Sequence, residues 1–309
     1  MTLILADVGG TNVRFAAAQD GVIDGARIKR YQNDDFDSFD SALSSYLERA
    51  GVSGVEGLSV AVAGPVSGGA ARLTNRGWSF NAADLAEACD GGPVYLLNDL
   101  SALGYALDVL GEDDTSLVLD GPVVASEQRL VIGAGTGFNV SPVLQSGGQT
   151  FCLRAEAGLS SLPTRVAGIM QAYIGGVAPW VRCAEDAVRG PGLSELHAAA
   201  TGGPVRDARD VMAAADEGDS DALASTEVYA RMLGAFVQDL RLLYMPTGGI
   251  FLAGSVARGL LASPARDVFI EALGGQPTVK QTMAQVRVSL ITRDEAALVG
   301  CLAYAQSMG

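Results

Sequence analysis

A single histidine, His197, serves all 309 residues, and no shortage in this chain removes more chemistry. Multi-histidine metal sites are excluded, and histidine-dependent hydrolase triads are disfavoured. Lysine is almost as scarce. Lys29 and Lys280 stand alone, and neither follows a glycine loop, so a phosphate loop ending in Gly-Lys-Ser/Thr is absent. Cys89, Cys152, Cys183 and Cys301 are widely spaced with no Cys-x-x-Cys pair, which reads as reduced core residues rather than disulfides or zinc ligands. Positive charge is short too: 21 Lys and Arg against 35 Asp and Glu leave a net charge of −14. That balance argues against a nucleic-acid surface or an acidic membrane, while a nucleotide held by local donors stays open. No apolar run approaches the roughly 20 residues of a membrane span. The first apolar run contains Asp7 and has no basic stretch before it, so it does not read as a signal peptide. Aromatics are 6% of a chain that is 49% hydrophobic, so a sizeable core is built mainly from small and aliphatic residues.

What the chain does have is glycine, 39 residues of it, gathered into turns behind apolar runs. Asp7-Val-Gly-Gly-Thr-Asn-Val-Arg14 follows Leu3–Ala6, and Thr11–Ala18 reads as a second strand. Gly9 and Gly10 permit positive φ and close backbone approach, so successive N–H groups can converge on an anion. Thr11 and Asn12 add side-chain donors, and Asp7 sits where a carboxylate could hold hydrated magnesium. An ordinary hairpin with a Gly-Gly turn is the plainer alternative. A second turn lies in Val131-Ile-Gly-Ala-Gly-Thr-Gly-Phe-Asn-Val140, and a third in Gly248–Val256, where a helix is expected to start. None has the Gly-x-Gly-x-x-Gly dinucleotide pattern with its acidic residue about 20 positions on. Two Gly-Thr turns imply phosphate held by backbone amides from both sides.

Length suits about two domains. Strand-like and helix-like segments alternate through the first hundred residues: Ala26–Arg30 as a strand, Asp37–Gly51 as an amphipathic helix, Gly57–Ala63 as a buried strand, Ala82–Cys89 as a short helix, Val94–Leu97 as a strand and Ser101–Leu110 as a helix. The stretch Phe151–Ala200 reads as less regular, punctuated at Gly190-Pro191-Gly192. Helices are expected over Val205–Asp216, Ser220–Tyr244 and Asp294–Ser307, with strands at Ile250–Leu252 and Val286–Leu290. A boundary is expected near residues 105–115, giving two similar α/β halves with a cleft between them.

Asn98-Asp99 closes the strand at Leu96-Leu97, a common place for an active-site carboxylate in an α/β fold. Asp99 could deprotonate a substrate hydroxyl, or this pair could cap the following helix. The two readings are compatible. Glu156 and Glu185 lie in turn-rich surroundings, as polyol ligands or as solvated surface acids.

Taken together, Asp7–Arg14, Val62-Ala-Gly-Pro-Val66, Leu73-Thr-Asn-Arg-Gly-Trp78, Asn98-Asp99, Gly133–Gly137, Arg189-Gly-Pro-Gly-Leu193 and Gly248–Gly254 resemble, in order, the bacterial glucokinases of the sugar kinase, Hsp70 and actin superfamily. The resemblance spans nearly the whole chain. It implies two actin-like (ribonuclease H-like) domains: a small one over residues 1–108, with helix 295–309 packing back on it, and a large one over 109–294. It implies ATP and Mg²⁺, a sugar substrate and a homodimer, and the leading reading is a cytoplasmic ATP-dependent hexose kinase. By position, Asp99 looks like the base for the sugar 6-hydroxyl. Asn75, Asn98, Glu156 and Glu185 look like sugar ligands. Asp7, Gly9, Gly10, Thr11, Asn12, Gly133, Gly135 and Thr136 look like the phosphate and magnesium surround, with Asp7 reaching the metal through water, and Gly254 borders the adenine. Where the family reads Glu-Gly-Gly-His, this chain has Glu156-Ala157-Gly158-Leu159, so the family's sugar-binding histidine is Leu159. A kinase for another hexose or amino sugar, or a catalytically weak sugar- or nucleotide-binding protein, is the alternative.

Overall fold

A computed structural model describes residues 2–73, 76–124, 127–176, 178–274 and 286–308. The chain divides into two compact units, Met1–Gly111 with Arg293–Gly309, and Glu112–Thr292.

The first unit is built on β1 (Thr2–Val8), β2 (Asn12–Gln19), β3 (Val22–Ile23), β4 (Lys29–Gln32), β5 (Gly57–Val62), the short strands β6 (Val66–Ser67), β7 (Ala70–Arg72) and β8 (Ser79–Asn81), and β9 (Val94–Asn98). Its helices are α1 (Phe39–Ala50), α2 (Ala82–Ala86) and α3 (Asp99–Ala106). The main sheet runs β3-β2-β1-β5-β9, with β4 also on β2 and β6-β7-β8 forming a separate small sheet. β1, β5 and β9 are parallel, and β5 is buried along its whole length, as expected of a strand covered on both faces. β1 shows why. Ile4, Ala6 and Val8 join the core beneath α1, whereas Leu3 and Leu5 join the one beneath α3 and the C-terminal helix. α1 begins at a Ser38–Ser41 capping box and stops at Gly51 in left-handed geometry, burying Phe39, Ala42, Leu43 and Tyr46 on one stripe. Phe15 stacks on Tyr46 at 5.0 Å to close that core.

The second unit comprises β10 (Thr115–Leu119), β11 (Arg129–Ala134), β12 (Phe138–Ser146), β13 (Gln149–Cys152), α4 (Thr164–Ile174), α5 (Ala184–Val188), α6 (Gly190–Thr201), α7 (Ala208–Asp216), α8 (Ser220–Tyr244), β14 (Ile250–Ala253), α9 (Ser255–Ala262), α10 (Arg266–Gly274) and β15 (Val288–Ile291). Its sheet order is β10-β15-β14-β11-β12-β13. As in the first unit, a glycine-turned antiparallel hairpin (β11–β12) lies beside two parallel strands (β14, β15). The 25-residue α8 runs through the helical layer, its middle buried from Tyr229 to Gln238 apart from Arg231. Finally α11 (Ala296–Ser307) returns to the first unit. Gly300 is obligatory there, because a Cβ would lie 1.7 Å from the Ala102 carbonyl of α3.

Several expectations need correction. Phe151–Ala200 holds more regular structure than expected, with α4, α5 and most of α6, although its connections at 153–163 and 178–183 are irregular apart from one 3-10 turn. Gly190-Pro191-Gly192 is the first turn of α6 rather than a break, since proline there loses an N–H that had no helical partner anyway. Gly192 is dictated by packing: a Cβ would sit 2.6 Å from the Asp186 carbonyl. Ala26–Arg30 is not one strand. A single 3-10 turn, Gly25–Arg27, capped by Asp24, precedes β4. α7 starts at Ala208 rather than Val205, because the Asp207 carboxylate takes the Arg209 N–H.

Candidate active site

In the first unit the candidate residues gather at the C-terminal ends of the parallel strands. Asp7 is the penultimate residue of β1, in register with Ala61 of β5, and Asp99 comes directly after β9. Two strand spacings separate β1 from β9, roughly 10 Å. Burial raises the Asp7 carboxyl above its ordinary value, against the opposing pull of Arg14 and Arg30. These arginines form a row with it, Asp7 opposite Arg14 on β2 and Arg14 opposite Arg30 on β4. Burial likewise pushes Asp99 up, to about 7, with the Asp7 charge adding to it, while hydrogen bonds from the Leu100 and Asp99 N–H groups and Asn98 hold it back. A carboxyl titrating there is suited to exchange a proton near neutrality.

Asn98 and Asp99 both reach the first turn of α3. Asn98 Oδ1 accepts the Leu100 N–H at 3.1 Å, and its Nδ2 donates to the Gly64 carbonyl at 3.2 Å, so this side chain both starts α3 and ties down the loop after β5. Asp99 Oδ1 also accepts from Leu100, at 2.9 Å. Gly9, Gly10 and Thr11 form the β1–β2 turn, in which the Gly9 N–H donates to the Asn12 carbonyl at 2.9 Å, and Asn33 Nδ2 donates to the Gly9 carbonyl at 2.8 Å. Neither Gly9 nor Gly10 is among the glycines with positive φ. The positive φ that glycine permits is not used here, and close backbone approach is what small size offers at this turn. Asn75 lies outside the described residues.

In the second unit, Gly133 is not in the turn but inside β11, paired with Asn139 and Ala253. Gly135 and Thr136 line a cavity of about 680 Å³, together with Gly190, Ser194, Arg206, Asp216 and Ser255. Gly254 joins β14 to α9 with φ +102°, and a Cβ on it would lie 2.3 Å from the Ala134 carbonyl, so only glycine fits. The cavity thus meets the N-terminal ends of α6 and α9, whose helix dipoles favour anions, although at α6 the Gly190 and Gly192 N–H groups are already taken by the Gly135 and Arg189 carbonyls. Glu185 Oε2 accepts the Phe138 N–H at 2.8 Å, and Glu156 Oε2 accepts from Asn139 Nδ2 at 2.8 Å. Both glutamates therefore bond to the two residues that leave this same turn. Gly158 packs against Phe138 and Glu185, where a Cβ would lie 2.1 Å from the Phe138 carbonyl.

Leu159 is 65% exposed in the 3-10 turn that comes after Glu156, not folded into the core. His197 is buried on α6, with Nδ1 3.0 Å from Ser225 Oγ. Sequence reasoning overlooked Arg206, Asp216 and Ser194. Ser194 lies one turn beyond the Gly190-Pro191-Gly192 segment, which would have pointed to it had that segment been read as a helix start.

Two units, each a glycine-turned hairpin beside parallel strands, define the actin-like sugar kinase fold. The glucokinase of an Antarctic psychrotroph superposes with a TM-score of 0.81 at 26% identity, over 99% of both chains. A ROK glucokinase from Streptomyces griseus, solved with glucose and AMPPNP, shares the fold at a TM-score of 0.69 and 22% identity, over 99% of this chain and 100% of that one. The glucokinase of Stenotrophomonas maltophilia R551-3 is 30% identical across 98% of this chain and 94% of its own. The family model for glucokinase matches residues 4–308, and the chain belongs to the glucokinase family. It is an ATP-dependent phosphotransferase of hexokinase type.

Proposed function

We propose that this enzyme phosphorylates the 6-hydroxyl of glucose, with Asp99 as the base. Asp99 takes the hydroxyl proton as the O6–Pγ bond forms and the bond from Pγ to the β-phosphate oxygen breaks, leaving ADP and sugar 6-phosphate. Asn75, Asn98, Glu156 and Glu185 are assigned to sugar hydroxyls. A carboxylate accepts from vicinal hydroxyls, and each of these two glutamates has one oxygen engaged, by Phe138 or by Asn139. The nucleotide is assigned to the 680 Å³ cavity and its Gly135-Thr136 edge. Asp7, Gly9, Gly10, Thr11 and Asn12 are assigned to its terminal phosphates, Gly133 supports the second turn through β11, and Gly254 borders the base.

The donor set suits Mg²⁺. A lone carboxylate such as Asp7 fits an ion that keeps most of its waters and takes phosphate oxygens. Bound there, Mg²⁺ supplies neutralisation of phosphate charge. The same reading assigns the enzyme to the cytoplasm, to glycolysis and to a homodimer.

The observation that carries this reading is Asp99, held at a strand end with its carboxyl raised to about 7. A coupled assay of ADP release over a panel of hexoses tests it, and glucose-dependent release is expected. Exposed Leu159 beside Glu156 supports a second reading, a kinase for a hexose or amino sugar with an apolar substituent in place of one hydroxyl. Faster turnover of such a sugar than of glucose would select it. ATP binding without ADP release on any sugar would leave a binding protein.

A further inference from the structure

The segment 182–190 spans the turn between β11 and β12 and touches both of its ends. At one end Glu185 Oε2 accepts the Phe138 N–H, 2.8 Å away. At the other the Gly190 N–H donates to the Gly135 carbonyl, 2.8 Å away. Those ends are the sugar side and the nucleotide side of the proposed site. Between them stands Asp186, 3% exposed and without a role in the proposed reaction. Its Oδ2 accepts the Arg182 N–H at 3.0 Å and Arg182 Nε at 3.2 Å, and its Oδ1 accepts Arg189 Nη2 at 2.9 Å. One carboxylate therefore ties the chain ahead of α5 to the residue before α6. The Arg189 N–H also donates to the Glu185 carbonyl at 3.0 Å. Burial would raise this carboxyl, but the Arg182 and Arg189 donors outweigh it and hold it below the usual aspartate value, so it stays charged at neutral pH.

We propose that Asp186 is a positioning residue for both substrates: it locks 182–190 into a brace that sets Glu185 for the sugar and the Gly135-Thr136 turn for the nucleotide. The identity of these ligands rests on the proposed function, whereas the brace is a matter of geometry. A fault in it has a signature that a fault in either ligand alone does not. Loss of Glu185 weakens one substrate, and loss of Asp186 weakens both.

Asp186→Asn keeps the volume and removes the charge. In the full-length variant, KM for sugar and KM for ATP are expected to rise together, each roughly five- to tenfold, with a smaller change in kcat. Amide exchange should quicken at Phe138 and Gly190. Glu185→Gln should raise the sugar KM and leave the ATP KM near its parental value. A folded Asp186→Asn protein with unchanged ATP KM, or with unchanged exchange at those two amides, overturns the proposal. If Asp186→Asn does not fold, Arg189→Lys replaces it, keeping the charge but losing the planar fork. Paired rises of about two- to threefold are then expected, and parental values for both overturn the idea. If the parental protein turns over no sugar, the functional reading fails by itself, while amide exchange and calorimetric ATP binding still decide whether the brace exists.

Discussion

The two glycine-turned hairpins are built alike and surrounded differently. β1–β2 and β11–β12 each run antiparallel, and each first strand also pairs in parallel with the next strand of its sheet, β5 or β14. Around the first turn the structure collects charge: Asp7 and Asp99 at the strand ends, with Arg14 and Arg30 in a row beside Asp7. Around the second it collects space and dipoles: the cavity and the starts of α6 and α9, with two glutamates bonded at the exit of the turn. The strand ends differ as well, with an Asn-Asp pair at β9 and a glycine with a helix start at β14.

If the first unit supplies the proton chemistry, Asp99→Asn should have the largest effect. We expect kcat to fall on the order of 10²–10⁴ with ligand binding retained. The parental rate should rise with pH through about 7, as the raised carboxyl ionises, and that limb should vanish in the variant. The linked stability runs the other way. A carboxyl raised on folding contributes its stability fully below the ordinary aspartate pKa and loses it as pH rises through about 7. At pH 8 the asparagine variant should therefore melt higher than its parent. Near-parental kcat would reduce Asp99 to a helix cap.

Gly135→Val addresses the second unit. A Cβ there meets nothing nearer than Ser255, at 3.8 Å, so the chain should fold. The branched side chain would stand beside the α9 N-terminus, and ATP affinity should drop by tenfold or more, on the order of 1.4 kcal/mol. Calorimetry giving parental affinity would move the nucleotide elsewhere. Leu159→His carries the smallest expected effect. Because Leu159 is 65% exposed, melting should shift little, and one recovered hydrogen bond worth about 0.5–1.5 kcal/mol should lower the glucose KM a few-fold with kcat nearly constant. A destabilised variant with no gain for glucose would mean that the sugar is held by a different set of groups.

The features legible in the sequence share a physical basis. Apolar runs ending in glycine turns mark buried strands because backbone pairing and burial are both local in pattern, and Leu3–Ala6, Gly57–Val62 and Ile250–Leu252 fall in strands. Ser220–Tyr244 is a helix over its full length for the same reason. Asp99 could be singled out because it ends such a strand. The Pro-Gly signal at residues 190–192 misled, since those glycines answer to packing on Asp186 and Val256 rather than to a turn.

The sequence by itself determined the α/β alternation, the two glycine turns, the Asn98-Asp99 strand end and the family, since each is written in residues close together or in a fixed order. Only the tertiary structure decided the rest. It set Asp7 near enough to Asp99 to help raise it, placed Glu185 on the Phe138 amide 47 residues away in sequence, and buried Asp186 between two arginines. It also left Leu159 exposed. Burial and electrostatic coupling depend on what the fold packs around a group, and no window of sequence contains those neighbours.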